Sequence, residues 1–286
     1  PIDIWVDYYG IKRKVNKIIN RINPDLIHLH GAENTYHTPA IIQFQNKYPI
    51  LVTLQGFVSK HDEANSRRVQ RRKQREQYIL RNFKHFTYGR KITKDEVKEI
   101  NPKANLYHHK YVRKFYVSYD IANTEKKYDI VFFARIKKEK GIEDLLKAIS
   151  IIKKKKNDVS AIVIGSTNSK YKQYLFDLTN RLNINANITF LGFLPTLNDV
   201  HNVALKAKVS VLPTYIEVFS GTIAESMFLK IPVVAYATGG IPEANEKEEA
   251  ISLVEPGNVE MLAERIYRLL EDENLREEQA IKAQKR

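Results

Sequence analysis

The chain has 286 residues, of which 43% are hydrophobic, enough to form a core in each of two domains. It contains no cysteine, which excludes disulfides, thiolate zinc sites and a cysteine nucleophile. The formal net charge of +14 favours partners that carry phosphate. Nucleic acid, an anionic membrane and a phosphorylated small molecule all meet this condition, and the charge alone does not distinguish them.

Hydropathy gives an expectation about location. No stretch approaches the roughly 18 apolar residues that cross a bilayer, and no apolar run after basic residues opens the chain as a signal peptide would. We therefore expect a cytoplasmic protein. Because the chain begins at Pro1 without an initiator Met and ends inside a charged helical pattern, we also expect a fragment with an incomplete amino-terminal domain.

In the first half, hydrophobic periodicity alternates between helix and strand. Apolar residues from Ile11 to Ile22 keep helical spacing, and Asn23-Pro24 ends this helix before a strand-like run at 26–29. The same alternation predicts three further elements: helix 38–47, strand 50–54 and helix 63–82.

In the second half the pattern is clearer, because continuous apolar runs indicate parallel strands covered on both faces. The predicted strands are 129–134, 159–164, 188–191, 209–212 and 232–236. The polar stretch 118–127 is interpreted as a linker, which gives domains at 1–119 and 120–286. The predicted fold class is therefore α/β, with two Rossmann-like doubly wound domains facing a central cleft where ligands bind.

The candidate site is centred on residues that follow a predicted buried strand and enter a helix at about Gly221 or Thr222. Glu217 precedes this turn, and Glu225 lies inside the helix. Thr222 and Glu225 have the spacing of a capping box, and the free amides of a first helical turn can hold ligand oxygens. Ionised carboxylates accept hydrogen bonds from vicinal hydroxyls, so the two glutamates can hold different parts of one elongated ligand.

The E-x7-E spacing of these glutamates, followed by Ile231-Pro-Val-Val-Ala and Thr238-Gly-Gly-Ile-Pro-Glu243, resembles the signature of glycosyltransferase family 4. The resemblance implies a GT-B fold and retaining transfer of a hexose-type sugar from a nucleotide diphosphate sugar. It assigns Glu217 to the transferred sugar and Glu225 to the nucleotide ribose. The intervening residues expected along the donor are Phe219, Ser220, Gly221 and Thr222.

A second segment, from Arg135 to Lys140-Gly141, resembles the R-x4-K-G segment of that family. The resemblance implies that Arg135 and Lys140 neutralise the donor pyrophosphate and stabilise the leaving diphosphate. No metal or other cofactor is then expected. Taken without the E-x7-E segment, these residues are equally well explained as ordinary basic residues in a lysine-rich chain.

Two further positions match places where family members wall the nucleotide: Gly165 after a predicted strand and Phe193 after a turn. The glycine pair of Gly239 and Gly240 can let another backbone pass close to the donor. Each is equally compatible with a plain strand end or turn. Family members often have glycine where this chain has Val218, Ser220 and Lys230, so the donor-sugar preference stays open.

In the amino-terminal half, His30-Gly31 and Gln55 end two strand-like segments that resemble the acceptor or sugar side of the family. Gln55 stands where the family commonly has histidine, and an amide cannot carry a proton at neutral pH. From alternation along the strand, we expect the His28 side chain to face a different side from that of His30. His37 and the pair at 108–109 are interpreted as structural, because no carboxylate accompanies them at metal spacing.

Residues 86–116 resemble a subgroup, the group 1 glycosyltransferases with bacterial polysaccharide roles, which implies a saccharide or lipid-linked acceptor. Arg90 in this stretch could approach the cleft or lie on the surface. The basic run Arg67–Arg75 is a candidate for peripheral contact with an anionic membrane at its inner face, or with a lipid diphosphate. A solvated helix face is the alternative.

Three other functions remain open at this point. A sugar-nucleotide epimerase of the same fold would need acid and base groups at the cleft. A basic nucleic-acid-binding protein is suggested by the charge alone, and since no recognition pattern supports it, no nucleic acid partner is expected. A pseudoenzyme that binds donor without turnover is suggested by Gln55.

Overall fold

The computed structural model divides the chain into two compact units, residues 1–113 and 114–286, where the sequence predicted a boundary near residue 120. Each unit is a parallel α/β structure, so the predicted fold class holds for both. The structure describes residues 9–34, 36–54, 56–61, 66–89, 91–108, 119–121, 123–217, 220–245 and 249–284.

The amino-terminal unit contains a parallel sheet in the order β1-β2-β3-β4. Its strands are β1 (Ile27–His30), β2 (Ile50–Thr53), β3 (His85–Tyr88) and β4 (Asn105–His108). Its helices are α1 (Tyr9–Ile22), α2 (Thr38–Ile42), α3 (Val58–His61), α4 (Arg67–Asn82) and α5 (Lys91–Ile100).

The core of this unit follows from the alternation of side chains along each strand. In β1, Ile27 and Leu29 are buried while His28 and His30 are exposed. The rings of His28 and His30 lie on the same side, with centroids 4.1 Å apart. The expectation that they face different sides was wrong, because residues two apart on a strand share a face.

Helix α4 is the predicted long helix, although its described part begins at Arg67 rather than 63. Ser66 caps it by accepting a hydrogen bond from the Val69 amide. Val69, Glu76 and Ile79 are buried, which leaves Arg67 and the following arginine exposed. Glu76 accepts hydrogen bonds from the Val58 amide at 2.6 Å and from Ser59, and burial raises the pKa of its carboxyl. Helix α2 is shorter than predicted, since the chain turns after residue 42.

The carboxy-terminal unit is larger and contains a six-stranded parallel sheet in the order β10-β9-β8-β5-β6-β7. Its strands are β5 (Tyr128–Phe133), β6 (Ala161–Ile164), β7 (Ile188–Gly192), β8 (Ala207–Leu212), β9 (Val233–Tyr236) and β10 (Ile251–Val254). Its helices are α6 (Ile142–Lys153), α7 (Ser169–Arg181), α8 (Leu197–Ala204), α9 (Gly221–Phe228), α10 (Val259–Glu271) and α11 (Glu273–Gln284).

All five strands predicted for the second half are confirmed by β5 to β9. Four of them are buried on both faces, as in β5, where residues 129–133 are all buried, whereas the edge strand β7 alternates between half-buried and exposed. The strand order reverses between β5 and β8, because the chain runs outward from β5 through β6 to β7 and then returns to the other side of β5. Ligands of open α/β sheets usually bind beyond the carboxyl ends of the strands at such a switch point.

Within the described residues, each helix is too short or too polar to span a bilayer.

Candidate functional site

Two of the segments singled out in the sequence meet at the switch point of the carboxy-terminal unit. The segment of Arg135 and Lys140 follows β5, and the segment of Glu217 follows β8. These two strands are parallel neighbours, with Val131 opposite Ser210. Segments far apart in the sequence therefore leave the sheet at the same edge.

The centre of the candidate site is an ion pair between these two segments. Nζ of Lys140 lies 2.8 Å from Oε2 of Glu217. The side chains are 18% and 13% exposed, so both charges are largely withdrawn from water while a part of each remains accessible. The segments are also joined through the backbone, since the Tyr215 amide donates to the Glu139 carbonyl at 2.9 Å.

Two glycines let the backbones of this site approach closely. Gly141 has φ +73°, and a Cβ added there would lie 1.7 Å from the Pro213 carbonyl oxygen. Gly239 has φ +58°, and its added Cβ would lie 1.7 Å from the Glu217 carbonyl oxygen. A side chain fits neither the conformation nor the space. The loop that carries Glu217 is thus held between the loop after β5 and the loop after β9.

A buried carboxylate behind this loop supports it, and sequence reasoning missed it. Asp144, in the first turn of α6, accepts hydrogen bonds from the hydroxyls of Tyr215 and Tyr236, the latter at 3.0 Å, and from Lys147. Burial, and then the hydrogen bond to Asp144, raise the pKa of Tyr215 to about 12. The i,i+3 spacing of Asp144 and Lys147 was visible in the sequence, but nothing local indicated the two tyrosines.

A cavity of about 520 Å³ lies beside this support. Its lining residues are Lys138, Glu139, Gly141, Glu143, Asp144, Lys147 and Tyr215. It borders the loop of Glu217, whereas the Lys140 side chain is directed to Glu217 itself.

Helix α9 begins at Gly221, as predicted, but its cap differs from the prediction. Ser220 is the N-cap, and its hydroxyl accepts from the Ile223 amide at 3.2 Å. The Thr222 hydroxyl instead donates to the Phe133 carbonyl at 2.8 Å. The expected capping box of Thr222 with Glu225 was therefore wrong, because Thr222 anchors the helix to the end of β5. Phe219, also expected here, lies outside the described residues.

Glu225 lies inside α9 and is only 5% exposed. Its Oε2 is 3.3 Å from Nε2 of His201, a fully buried residue of α8. Nδ1 of His201 lies 2.8 Å from the Tyr119 hydroxyl. Burial and the charge of Glu225 raise the pKa of Tyr119. Neither His201 nor Tyr119 was predicted, since no local pattern connects them to Glu225.

The remaining predicted residues of this unit follow the carboxyl ends of other strands of the same sheet. Arg135 follows β5 and is exposed. Gly165 follows β6, and its amide donates to the Gly192 carbonyl at 2.8 Å. Phe193 follows β7 and is 70% exposed, while Gly240 is buried next to Gly239.

Two hydroxyls near these residues are further candidates for ligand contact. Oγ1 of Thr167 and of Thr238 is buried and lacks a hydrogen-bond partner in the part of the chain that the structure describes. Thr238 belongs to the Thr-Gly-Gly segment quoted above, which was the signal that could have identified it.

The predicted residues of the amino-terminal unit end two of its strands. His30 is exposed at the end of β1, and its carbonyl accepts a hydrogen bond from Nε2 of His37 at 3.0 Å. Gly31 follows with φ +85°, and its amide donates to the Thr53 carbonyl at 2.9 Å. Gln55 lies outside the described residues, as do Arg90 and residue 109.

Over the described ranges, no group of three or more histidines and carboxylates is placed to hold a metal ion.

Comparison with known proteins decides the family. Residues 119–286, more than half of the chain, match the model of the family described as glycosyl transferases group 1. The chain belongs to this family. The matched region contains the Lys140–Glu217 pair, Asp144, His201 and Glu225.

Among the group 1 relatives, the capsular polysaccharide biosynthesis glycosyltransferase CapM of Staphylococcus aureus is 31% identical over 152 residues. The match covers 52% of this chain and 38% of CapM. The chain thus spans about two fifths of this relative's length.

Two solved structures resemble nearly the whole chain. Sucrose-phosphate synthase from Thermosynechococcus elongatus has a TM-score of 0.80 at 21% identity, and the match covers 96% of this chain and 71% of the synthase chain. The Anabaena protein HepE in complex with UDP has a TM-score of 0.71 at 18% identity, covering 95% and 76%. These likenesses concern the fold, and they confirm the predicted GT-B class.

Proposed function

We propose that the chain is part of a retaining glycosyltransferase of family 4, which moves a hexose from a nucleoside diphosphate sugar to a saccharide or lipid-linked acceptor. The observation that carries the proposal is the Lys140–Glu217 pair at the switch point, with atoms 2.8 Å apart. A cation and a carboxylate at this position suit the two parts of such a donor, its diphosphate and its sugar hydroxyls.

In the proposed reaction, the bond between the anomeric carbon and the diphosphate oxygen breaks, and a bond to the acceptor oxygen forms on the same face of the sugar. The acceptor proton passes to an oxygen of the departing diphosphate, so no protein nucleophile is needed. Lys140 and Arg135 stabilise the negative charge that grows on the diphosphate. The first amides of α9 add partial positive charge beside Ser220. Since these groups supply positive charge, the proposed reaction needs no metal.

The ion pair also gives the donor a way to open its own site. A diphosphate carries more negative charge than one carboxylate, so it competes for Lys140. Once Lys140 turns to the diphosphate, Glu217 is released to accept hydrogen bonds from the sugar hydroxyls. Glu225 takes the ribose hydroxyls in the same scheme, and Phe193 and Gly165 wall the base.

The comparisons support the direction of this proposal. CapM is named for capsular polysaccharide biosynthesis, and HepE was solved with UDP. We therefore place cell-surface polysaccharide synthesis first among the roles and UDP first among the nucleotides to test.

Contact with a membrane is a separate part of the proposal, carried by α4. The exposed start of this helix belongs to the run 67–75, which contains six Lys and Arg residues and no acidic residue. Binding to vesicles with anionic lipid, and not to neutral vesicles, would support a peripheral location at the inner face of the membrane.

The proposal is tested by thermal unfolding of the chain with UDP, GDP, ADP and their sugars in the presence of EDTA. A ligand that binds the folded state raises its melting temperature. One nucleotide should stabilise the wild-type chain, and Glu225→Ala should lose that effect. Glu271→Ala, at the exposed end of α10, is the matched control and should keep it.

Transfer itself is tested with Glu217→Ala and Arg135→Ala in the full-length protein. Both variants should fold and lose transfer, and wild-type turnover in either would contradict the site. Conversion of the donor to an isomeric sugar without an acceptor would instead indicate an epimerase. Tight, salt-sensitive oligonucleotide binding without nucleotide-sugar affinity would favour a nucleic-acid-binding protein.

A further inference from the structure

Glu225 lies against His201, which in turn contacts Tyr119, and no motif includes either residue. We propose that His201 is a positioning residue that orients the Glu225 carboxylate toward the nucleotide ribose, and that Tyr119 fixes His201 in turn. The inference rests on the proposed function, in which Glu225 binds the ribose.

The three side chains come from three separate segments. Tyr119 precedes β5, His201 lies on α8 and Glu225 on α9. The Tyr119 hydroxyl is 2.8 Å from Nδ1 of His201, and Nε2 of His201 is 3.3 Å from Oε2 of Glu225. The imidazole thus lies between a phenol and a carboxylate, hydrogen-bonded to the phenol through Nδ1 and within ion-pair distance of the carboxylate through Nε2.

Packing keeps the imidazole in this position. His201 is 0% exposed. The Tyr119 ring meets it edge-on, with centroids 5.4 Å apart and planes at 68°. Phe228 of α9 contacts the same tyrosine ring at 6.3 Å. The ring of His201 therefore cannot rotate without displacing Tyr119.

The hydrogen-bond chemistry gives the arrangement a direction. A neutral imidazole has one N–H donor and one acceptor nitrogen, and the partner of one nitrogen selects the state of the other. The Tyr119 phenol stays protonated, because burial and the Glu225 charge raise its pKa. In the tautomer in which it donates to Nδ1, the imidazole hydrogen is on Nε2, the nitrogen 3.3 Å from Oε2 of Glu225.

Orientation of Glu225 matters because a carboxylate can accept several hydrogen bonds. Its two oxygens offer about four lone-pair positions, so an imidazole on one oxygen leaves acceptor capacity for ribose hydroxyls. A carboxylate fixed before the ligand arrives loses less rotamer freedom on binding. Partners that orient a binding group in this way act on affinity without touching the ligand.

A merely structural His201 would affect stability alone, and ribose selectivity separates the two cases. The probes are UDP, GDP and ADP, each paired with its 2′-deoxy form, with Kd measured by calorimetry for the pair that binds the wild-type chain. Loss of a hydrogen bond to a charged group corresponds to about a tenfold or larger preference for the ribose form. The wild-type chain should show this preference, and Glu225→Gln should reduce it to near unity.

The ribose preference of each His201 variant should depend on whether the new side chain keeps a hydrogen-bond donor. His201→Phe removes both ring nitrogens and should lower the preference to near unity. His201→Gln keeps an amide donor that can face Glu225 and should restore most of it. Tyr119→Phe removes the hydroxyl at Nδ1 and should give an intermediate value. The control is Leu205→Ala, which removes a buried side chain from the cluster that Tyr119 contacts and should lower the melting temperature without changing the preference.

The outcomes keep the inference distinct from the proposed function. A wild-type preference in His201→Phe, with the Glu225→Gln preference lost, would overturn the inference and leave the donor site standing. A full preference in Glu225→Gln would remove Glu225 from the ribose and the inference with it. Failure of every nucleotide to bind would overturn the proposed function itself. Should His201→Phe not fold, an unchanged preference in Tyr119→Phe or a lost preference in a folded His201→Gln would overturn the inference.

Discussion

Replacing Gly239 with alanine tests whether the backbone contact beneath Glu217 controls the site. The change adds a Cβ 1.7 Å from the Glu217 carbonyl oxygen, a distance that the two atoms cannot share. The Cβ is fixed to the backbone of residue 239 and the oxygen belongs to the backbone of Glu217, so the two loops must move apart. Movement there separates Glu217 from Lys140, which now lies 2.8 Å away.

The matched control is Gly257→Ala, which has the same backbone requirement without the overlap. Gly257 has φ +85°, and its added Cβ meets only the Tyr215 hydroxyl at an ordinary 3.6 Å. Both substitutions place an alanine in the left-handed region, at about 1–2 kcal/mol each. Gly239→Ala adds the overlap, at about a further 1–3 kcal/mol.

These free energies convert into melting temperatures for a unit of this size at roughly 2–4 °C for each kcal/mol. We expect Gly257→Ala to lower the melting temperature modestly and to keep nucleotide binding. Gly239→Ala should lower it further and lose stabilisation by the nucleotide sugar, as followed by thermal unfolding with and without ligand. Equal melting temperatures and equal ligand effects in the two variants would refute the argument.

Three other substitutions test neighbouring parts of the site. Lys230 follows α9 with φ +57°, at a position where the family often has glycine. Lys230→Gly should therefore raise the melting temperature, because it relieves about 1 kcal/mol of backbone strain. A lower melting temperature would contradict this expectation. Lys140→Met leaves the Glu217 charge largely buried without its cation, so it should destabilise the carboxy-terminal unit by about 1–3 kcal/mol in urea unfolding. Adding Glu217→Gln to this variant should restore part of the stability but no transfer activity. Because the pKa of Tyr215 is raised from 10 to about 12, the stability that it contributes is complete below pH 10 and declines as the pH rises toward 12. Tyr215→Phe should decline less over that window, and an unchanged pH dependence would contradict the Asp144 contact.

The sequence predicted the larger sheet well because its strands are continuous apolar runs. Strands β5 and β8 are buried on both faces, which leaves hydrophobicity as their dominant signal. Strands β3, β4 and β10 were missed, since each has only four residues with a polar side chain among them, and β4 and β10 lie at the edges of their sheets. Short edge strands depend on their neighbour for pairing, and local periodicity does not contain that information.

In the candidate site too, residues within local motifs were predicted, whereas contacts between residues distant in sequence were not. The E-x7-E and R-x4-K-G spacings identified Glu217 and Lys140, although only the sheet order shows that their segments leave adjacent strands. The helix cap was misplaced because serine and threonine both suit an N-cap, and the choice depends on Phe133, whose carbonyl binds Thr222 across 89 residues. His201 was missed for the same reason, since its partners are distant in sequence.

The Lys140–Glu217 pair is better explained by a ligand than by stability. Withdrawing two charges from water costs free energy that their attraction repays only in part, so a hydrophobic pair in the same space would serve a loop as well or better. Yet this loop is already fixed by backbone contacts at Gly141 and Gly239 and by the Tyr215 hydroxyl on Asp144. A loop secured in three places has no need of an ion pair to hold it. A cation and a carboxylate kept partly accessible at a switch point are therefore expected where a charged, hydroxylated ligand exchanges with the pair.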